Sequence, residues 1–177
     1  STDAEGDAIT LAGTTIPSWA TFVDLGSGSG VLSGTPDNDD VTSGFQVTLT
    51  ATDASNNAGT QVFTIVVANT NDAPTVANAI SDASTAEDAL YTLDASGTCT
   101  DADTSDTMVY TISGGPSTIT TTDAGVISGT PVNANVGAHT ITVTCTDGTA
   151  SATDEYVLTV TNTNDAPTVA SAIADAS

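Results

Sequence analysis

The feature that most constrains this fold is an internal repeat. The segment NTNDAPTVANAISDAS at residues 69–84 returns at residues 162–177 as NTNDAPTVASAIADAS, and only positions 78 and 81 differ. Shorter matches occur in the same order: GVLSGTP (30–36) with GVISGTP (125–131), and TLTATD (48–53) with TVTCTD (142–147). The repeat is domain-sized, so the chain is expected to hold two related domains rather than one large core.

Within each copy the apolar residues recur with a period of two. Phe45, Val47 and Leu49 alternate with polar residues, and Ile141 and Val143 do the same in the second copy. Clusters of Gly, Ser, Asn and Asp separate these runs, and no window has a helical period. Short Thr- and Val-rich strands in a unit of about 90 residues predict an all-β fold, an antiparallel β-sandwich with Ig-like topology.

Charge excludes several classes of partner. The chain has 22 acidic residues, no Lys, no Arg and one His, which gives a formal net charge of -22. Without cations it has no clamp for phosphate and no attraction to nucleic acid or anionic lipid. No run approaches the roughly 20 apolar residues that span a bilayer, so direct membrane insertion is not expected. Apolar burial, a disulfide and bound metal ions are left to stabilise the fold.

The motifs resemble those of a known family. They are IPSW (16–19), GVLSGTP, TATD (50–53) and NTNDAP (69–74), with CTDAD (99–103), GVISGTP, TCTD (144–147) and NTNDAP (162–167) in the second copy. In this order and spacing they resemble the cadherin-like Ig modules of prokaryotic surface proteins, the dystroglycan-type cadherin or Putative Ig repeat family. The resemblance implies tandem sandwiches outside the cell, with Ca²⁺ bound between successive domains.

Domain limits follow from the repeat and the resemblance. We expect a cadherin-like Ig domain at residues 1–73 that lacks its early strands, and a second, fuller one at 74–166. Residues 167–177, which include Val169 and Ile173, repeat the start of the second domain and would form a strand of the next domain or subunit.

The resemblance also implies a set of Ca²⁺ ligands at the junction of the two domains. The linker departs from the family's DxNDN pattern, because Asn69 replaces its first Asp and Ala73 its last Asn. The expected ligands are the linker residues Asn69, Asn71 and Asp72, the DxD pair Asp101 and Asp103, the late-strand Asp147, and the acidic segment Asp37, Asp39 and Asp40.

The two outer ends carry less complete versions of this constellation. The expected ligands are Asp3, Glu5 and Asp53 on the first domain, and Glu87, Asn162, Asn164 and Asp165 on the second. In the second copy the acidic segment has become VNAN (132–135). The end of the second domain that carries Glu87 and Asp165 should therefore bind fewer ions or bind them more weakly. The alternative is that these Asp and Asn residues only cap loops and form Asx turns.

Both cysteines lie in the second domain. Cys99 and Cys145 each stand two residues before a proposed ligand, Asp101 or Asp147. If those two Asp residues meet at one ion, the cysteines face each other, and we expect a disulfide like the inter-sheet bridge of Ig domains. The alternative is two buried free thiols. A disulfide would fit an extracellular location.

These observations predict a structural protein. One His, no Lys, no Arg and no Gly-x-Ser-x-Gly motif leave little for catalysis, so we expect no enzyme activity. The favoured function is a structural or adhesive repeat unit at the cell surface, a Ca²⁺-stiffened stalk or a filament of copies joined head to tail, with a possible surface or glycan ligand. The alternative is an accessory glycan- or protein-binding module of a larger secreted protein.

Overall fold

The structure is a computed structural model that describes residues 6–168. The chain folds into two compact units, Ser1–Thr70 and Asn71–Ser177, which we call unit 1 and unit 2. Within the described range, no helix is long and apolar enough to cross a bilayer.

Over its described residues 6–70, unit 1 has five strands and one 3₁₀ turn. They are β1 (Thr10–Thr15), β2 (Ala20–Gly26), β3 (Ser29–Gly34), the turn Asn38–Asp40, β4 (Thr42–Thr52) and β5 (Ala58–Val67). The first sheet has the antiparallel order β1-β4-β5, and β2 pairs with β3 in a separate hairpin. The turn between β2 and β3 lies at the start of the SGSG segment (27–30). Gly26 (φ 77°), Ser27 (φ 54°) and Gly28 (φ 74°) adopt there the left-handed conformation that glycine favours.

The apolar face of unit 1 is only partly covered. Among its described residues, Val47 is fully buried and Ala20 nearly so. Leu49, Phe63 and Ile65 follow the inward period of the same sheet yet are only half-buried. Unit 1 therefore has correctly patterned strands around a core that remains open to solvent.

In the part of unit 2 that the structure describes, residues 71–168, there are nine strands and a second 3₁₀ turn. They are β6 (Thr75–Val76), β7 (Ala83–Ala86), β8 (Tyr91–Asp94), β9 (Cys99–Thr100), β10 (Val109–Gly114), β11 (Ile119–Thr121), β12 (Val126–Gly129), the turn Asn133–Asn135, β13 (Gly137–Thr146) and β14 (Ser151–Thr161). The sheet orders are β10-β13-β14-β7 and β11-β12-β8, with β6 pairing β9. All pairings are antiparallel except that of β7 with β14, a parallel pairing that the sequence pattern did not indicate.

The core of unit 2 lies between its sheets. Ile127, Ile141, Val143 and Leu158 have no exposed surface. The predicted all-β Ig-like class is therefore confirmed. Two parallel strands need a long connection and cannot be joined by a tight hairpin. Residues 87–150, which form most of unit 2, provide that connection between β7 and β14.

Cys99 in β9 and Cys145 in β13 form a disulfide, as the sequence predicted. Their Cα atoms lie 6.5 Å apart, within the range that a disulfide spans. The bridge closes a separation of 46 residues and ties a short early strand to the long central one. Both cysteines belong to the buried core cluster.

Candidate metal centres

Hydrogen bonds connect five of the predicted ligands at the start of unit 2 in two sets, Asn71 with Asp147, and Asp72 with the pair Asp101 and Asp103. We call this cluster the entry site, and it comprises Asn71, Asp72, Asp101, Asp103 and Asp147. The Asn71 amide donates to Asp147 Oδ2 at 3.0 Å, and the Asp72 backbone N–H donates to Asp103 Oδ2 at 2.7 Å. The Asp103 N–H in turn donates to Asp101 Oδ1 at 2.8 Å. The linker is therefore fixed against both the DxD pair and the turn after β13.

Two carboxylates of the entry site are withdrawn from water. Asp103 is 4% exposed. The Oδ2 atom of Asp101 is buried without a hydrogen-bond partner. A buried acceptor without a donor costs about 1 to 3 kcal/mol, and more when it is charged, so an anionic oxygen in this position fits a cation.

Asp147 is held in its ionised form. The backbone N–H groups of Ala150 and Thr149 each donate to its Oδ1 at 2.6 Å, and the Asn71 amide donates to its Oδ2. These hydrogen bonds, those from Ala150 and Thr149 most strongly, lower the pKa of Asp147 below its ordinary value. The turn after β13 therefore keeps its carboxylate to lower pH than an unperturbed Asp would.

A second cluster lies past the far end of β14, and we call it the exit site. It comprises Glu87, Asp88 and Asp165, each with a carboxylate oxygen within 4.8 Å of the other two. Glu87 was predicted as a ligand together with Asp165, whereas Asp88 was not. Sequence spacing gave no reason to choose Asp88, because the position of its carboxylate depends on its own left-handed backbone conformation (φ 59°) directly after Glu87.

Glu87 is the buried member of the exit site. It is 2% exposed, and its Oε1 accepts the backbone N–H of Thr163 at 2.8 Å. Its own N–H donates to the carbonyl of Thr161 at 2.9 Å, so the residue fixes the chain where it leaves β14. Oε2 is buried and has no hydrogen-bond partner. This is the same condition as at Asp101, and it again leaves a buried carboxyl oxygen without a hydrogen-bond donor.

The remaining predicted ligands of unit 2 lie near the exit site. Asn162 and Asn164 are exposed on the segment that carries Thr163 and Asp165. The Asn164 amide donates to the Asp165 carbonyl at 3.4 Å. Backbone and amide oxygens of this segment are available to complete a coordination sphere of six to eight oxygens.

In unit 1 the side chains of Asp37, Asp40 and Asp53 cap turns. The backbone N–H of Asp39 donates to Asp37 at 3.1 Å, and that of Asp37 donates to Asp40 at 3.1 Å, which forms a capping box around the 3₁₀ turn. Asn135 stands in unit 2 where unit 1 has Asp40, and its side chain accepts from the Val132 N–H at 2.9 Å. The turn itself therefore requires a short polar side chain but no charge.

Asp53 occupies the position in unit 1 that Asp147 occupies in unit 2. It accepts from the N–H groups of Ser55 and Asn57 and from the Asn57 side chain, each at 2.8 Å. These bonds, that of the Asn57 side chain most strongly, lower the pKa of Asp53. Asp3 and Glu5, its predicted companions, lie outside the described residues, and Asn69 is exposed at the end of unit 1.

Comparison with known proteins settles the family. The sequence profile of the Putative Ig domain matches residues 1–68 and again 73–161. The chain belongs to the Putative Ig domain family. The predicted resemblance is confirmed. Among curated proteins, no sequence matches this Putative Ig chain significantly.

Solved structures place the Putative Ig units among cadherin folds. Extracellular cadherin domains 1–5 of protocadherin gamma B2 match 93% of this chain and 35% of their own, with 16% identity and a TM-score of 0.62. A protocadherin gamma B7 cis-dimer structure of domains EC3–6 matches 89% and 42%, with 17% identity and a TM-score of 0.59. At such identities the likeness establishes the fold alone.

A third similar structure is an enzyme, an endo-fucoidan hydrolase of glycoside hydrolase family 107. It shares 26% identity over 90% of this chain but only 24% of its own, and its TM-score of 0.43 is too low to carry an argument. The chain thus spans about a quarter of that hydrolase and less than half of either protocadherin structure.

Proposed function

We propose that this chain is an extracellular structural repeat unit whose domain ends bind Ca²⁺, and that the bound ions stiffen a stalk or a head-to-tail filament. In this role the chain carries out no catalysis. The disulfide supports an oxidising location outside the cell. The cadherin-like fold supports an adhesive or load-bearing role. On this proposal residues 167–177 belong to the next domain or subunit.

Two buried carboxylate oxygens without partners, Asp101 Oδ2 and Glu87 Oε2, are the observation that carries the proposal. Each belongs to a cluster of further oxygen donors, and no Lys or Arg exists anywhere in the chain to neutralise them. Two or more carboxylates in one place repel each other unless a cation joins them. A hard divalent cation such as Ca²⁺ prefers carboxylate, amide and carbonyl oxygens, which are the donors present at both sites.

The position of the two sites explains how binding would act on a polymer. The Asp147 turn lies immediately before β14, and the exit site lies immediately after it. An eleven-residue strand spans about 35 Å, so the two sites occupy opposite ends of unit 2. Both involve segments that connect unit 2 to its neighbours in sequence, Asn71 at one end and Asp165 at the other. An ion bound there would restrict the bending of each connection.

Thermal unfolding with Ca²⁺ and with chelator tests the proposal. Ca²⁺ at a hundredfold excess over its dissociation constant should stabilise the native state by about 2.7 kcal/mol per site. Glu87→Gln should remove the exit-site contribution and leave the entry site intact. Calorimetric titration should then show fewer bound ions for this variant than for the parent chain.

Glu155→Gln is the matched control. Glu155 is an exposed glutamate on β14 that accepts from the Thr142 hydroxyl at 2.9 Å, outside both clusters. This variant should bind Ca²⁺ as the parent does. The proposal fails if chelator leaves the melting temperature unchanged, or if both variants bind Ca²⁺ equally.

A further inference from the structure

The disulfide lies at the same end of unit 2 as the entry site. Cys99 stands two residues before Asp101, and Cys145 stands two residues before Asp147. The strand β9 runs directly into the loop that carries Asp101 and Asp103, and β13 runs directly into the turn that carries Asp147. The bond therefore joins the bases of both segments that present carboxylates to this site.

Among the described residues, no backbone ladder joins the two strands that the disulfide connects. The strand β9 pairs with the two-residue strand β6, and β13 lies between β10 and β14. The Cys99–Cys145 bond therefore crosses from one sheet to another, with the two Cα atoms 6.5 Å apart. Both side chains are buried. The bond is the direct covalent link between β9 and β13 at this end of unit 2.

The loop between β9 and β10 is fixed more closely at its start than at its end. Asp101 follows Cys99 by two residues, whereas Asp103 precedes Val109, the first residue of the β10–β13 ladder, by six. Within the loop the hydrogen bonds are local. The Asp103 N–H donates to Asp101 Oδ1 at 2.8 Å, and the Asp106 N–H donates to the Asp103 carbonyl at 2.9 Å. The position of this acidic pair therefore depends mainly on β9 and on the bond that holds it.

The linker closes a ring that passes through the disulfide. The Asn71 amide donates to Asp147 on one side, and the N–H of the next residue, Asp72, donates to Asp103 on the other. The ring continues from the acidic loop along β9, across the bond to β13, and through the turn back to the linker. Each hydrogen-bonded set of the entry site lies on its own side of the bond. The bond therefore limits how far apart the two sets can move.

Unit 1 contains the same turn without the bond. Asp53 stands where unit 2 has Asp147, and Ala51 stands where unit 2 has a cysteine. Asp53 Oδ2 accepts from the Asn57 side chain inside its own turn, at 2.8 Å, whereas Asp147 Oδ2 accepts from the linker residue Asn71. The unit with the disulfide is thus the one whose turn carboxylate reaches beyond its own turn.

The bond opposes electrostatic repulsion within the ring. Four carboxylates belong to the ring, those of Asp72, Asp101, Asp103 and Asp147. The chain has no Lys or Arg to neutralise them, and like charges favour separation until a cation joins them. A bond that limits their separation in advance removes part of the ordering that ion binding would otherwise have to supply.

We infer that the Cys99–Cys145 disulfide positions the entry site, because it holds the acidic loop after β9 and the Asp147 turn at the separation that Ca²⁺ binding requires. This inference rests on the proposed binding of Ca²⁺. The exit site is built on β14 and on the segment between β7 and β8, and neither of these carries a cysteine. The disulfide should therefore affect the Ca²⁺ affinity of one site and not of the other.

The ratio of the two Ca²⁺ affinities tests the inference, since both sites belong to unit 2. Cys99→Ala/Cys145→Ala should weaken Ca²⁺ binding at the entry site by about tenfold or more, and at the exit site by less than about twofold. Glu87→Gln isolates the entry site and Asp101→Asn isolates the exit site in calorimetric titrations carried out below the melting temperature. A purely structural role of the disulfide would not separate the two affinities.

Ile127→Ala is the matched control. Ile127 is fully buried in β12, so the variant should destabilise unit 2 with the disulfide in place. It should lower the melting temperature and leave both Ca²⁺ affinities unchanged. Equal entry-site affinity with and without the disulfide would overturn the inference, and so would an equal loss at both sites. A parent chain that binds no Ca²⁺ would instead overturn the proposed function.

The reverse measurement needs no cysteine substitution, so it decides even if the double variant does not fold. Dithiothreitol, a dithiol, transfers two electrons and two protons to the Cys99–Cys145 bond, which becomes two thiols while the dithiol becomes a cyclic disulfide. Because linkage is reciprocal, Ca²⁺ should shift this equilibrium toward the protein disulfide by about tenfold relative to chelator. In Asp101→Asn the shift should be less than about twofold. No shift in the parent chain, or an equal shift in Asp101→Asn, would contradict the inference.

Discussion

Units 1 and 2 use the same strand pattern and reach different degrees of burial. Phe63 and Ile65 in β5 correspond to Tyr156 and Leu158 in β14, yet the first pair is half-buried and the second pair is 2% and 0% exposed. The two strands share the same period, and each pairs antiparallel with the strand before it. The difference comes from residues 74–95, which cover the sheet of unit 2. Alternation therefore decides which face points inward, and a separate segment decides whether that face becomes a core.

Removing the disulfide should give the largest difference between the units. A Cys99→Ala/Cys145→Ala variant loses a bridge across 46 residues, which is worth roughly 4 kcal/mol on the chain-entropy model. Unit 2 should unfold at a markedly lower temperature, whereas unit 1, which contains no cysteine, should not change. Calorimetry combined with hydrogen exchange of each unit measures this. Equal loss in both units would mean that they unfold as one.

Truncating one equivalent core residue in each unit should sharpen the comparison. Leu158→Ala should destabilise unit 2 by about 3 kcal/mol, because the side chain is fully buried. Ile65→Ala should destabilise unit 1 by roughly 1 to 2 kcal/mol, because its side chain is already half in water. Denaturant melts of residues 1–168 measure the difference. If the two losses are equal there, unit 1 is not open in solution.

The β2–β3 and β11–β12 hairpins are a place where the units should not differ. A Cβ added at Gly34 would meet the backbone carbonyl of Trp19, and one added at Gly129 would meet that of Thr118. Gly34→Ala and Gly129→Ala should each cost about 1 to 3 kcal/mol, since backbone rather than a flexible side chain must move. A large loss of stability for one variant and none for the other would show that the two hairpins are not equivalent.

Acid should produce the smallest effect, alike in both units. Hydrogen bonds lower the pKa of Asp53 and Asp147, so their stabilisation is fully present above the unfolded value of 3.8 and is lost as the pH falls through the folded value. In chelator, Asp53→Asn and Asp147→Asn should each lower the melting temperature slightly at pH 7, and this difference should disappear in stronger acid. Asp123→Asn, at an exposed site, serves as control. A deficit that persists at low pH would exclude the charge as its cause.

The sequence predicted much of this molecule because its signals were local. Alternation identified β4, β5, β13 and β14, and matched spacing identified the bridge between Cys99 and Cys145. The parallel pairing of β7 depends on a contact distant in sequence, and no local pattern records it. Asp88 was missed for a related reason, because its approach to Glu87 and Asp165 depends on one left-handed residue and the end of a distant strand.

The central claim is that Ca²⁺ occupies both ends of unit 2, and a crystal structure in Ca²⁺ with an anomalous difference map tests it most directly. The account predicts anomalous peaks about 2.3 to 2.6 Å from Glu87 Oε2 and from Asp101 Oδ2, each surrounded by six to eight oxygens. Water alone at both oxygens, in crystals grown at millimolar Ca²⁺, would contradict it.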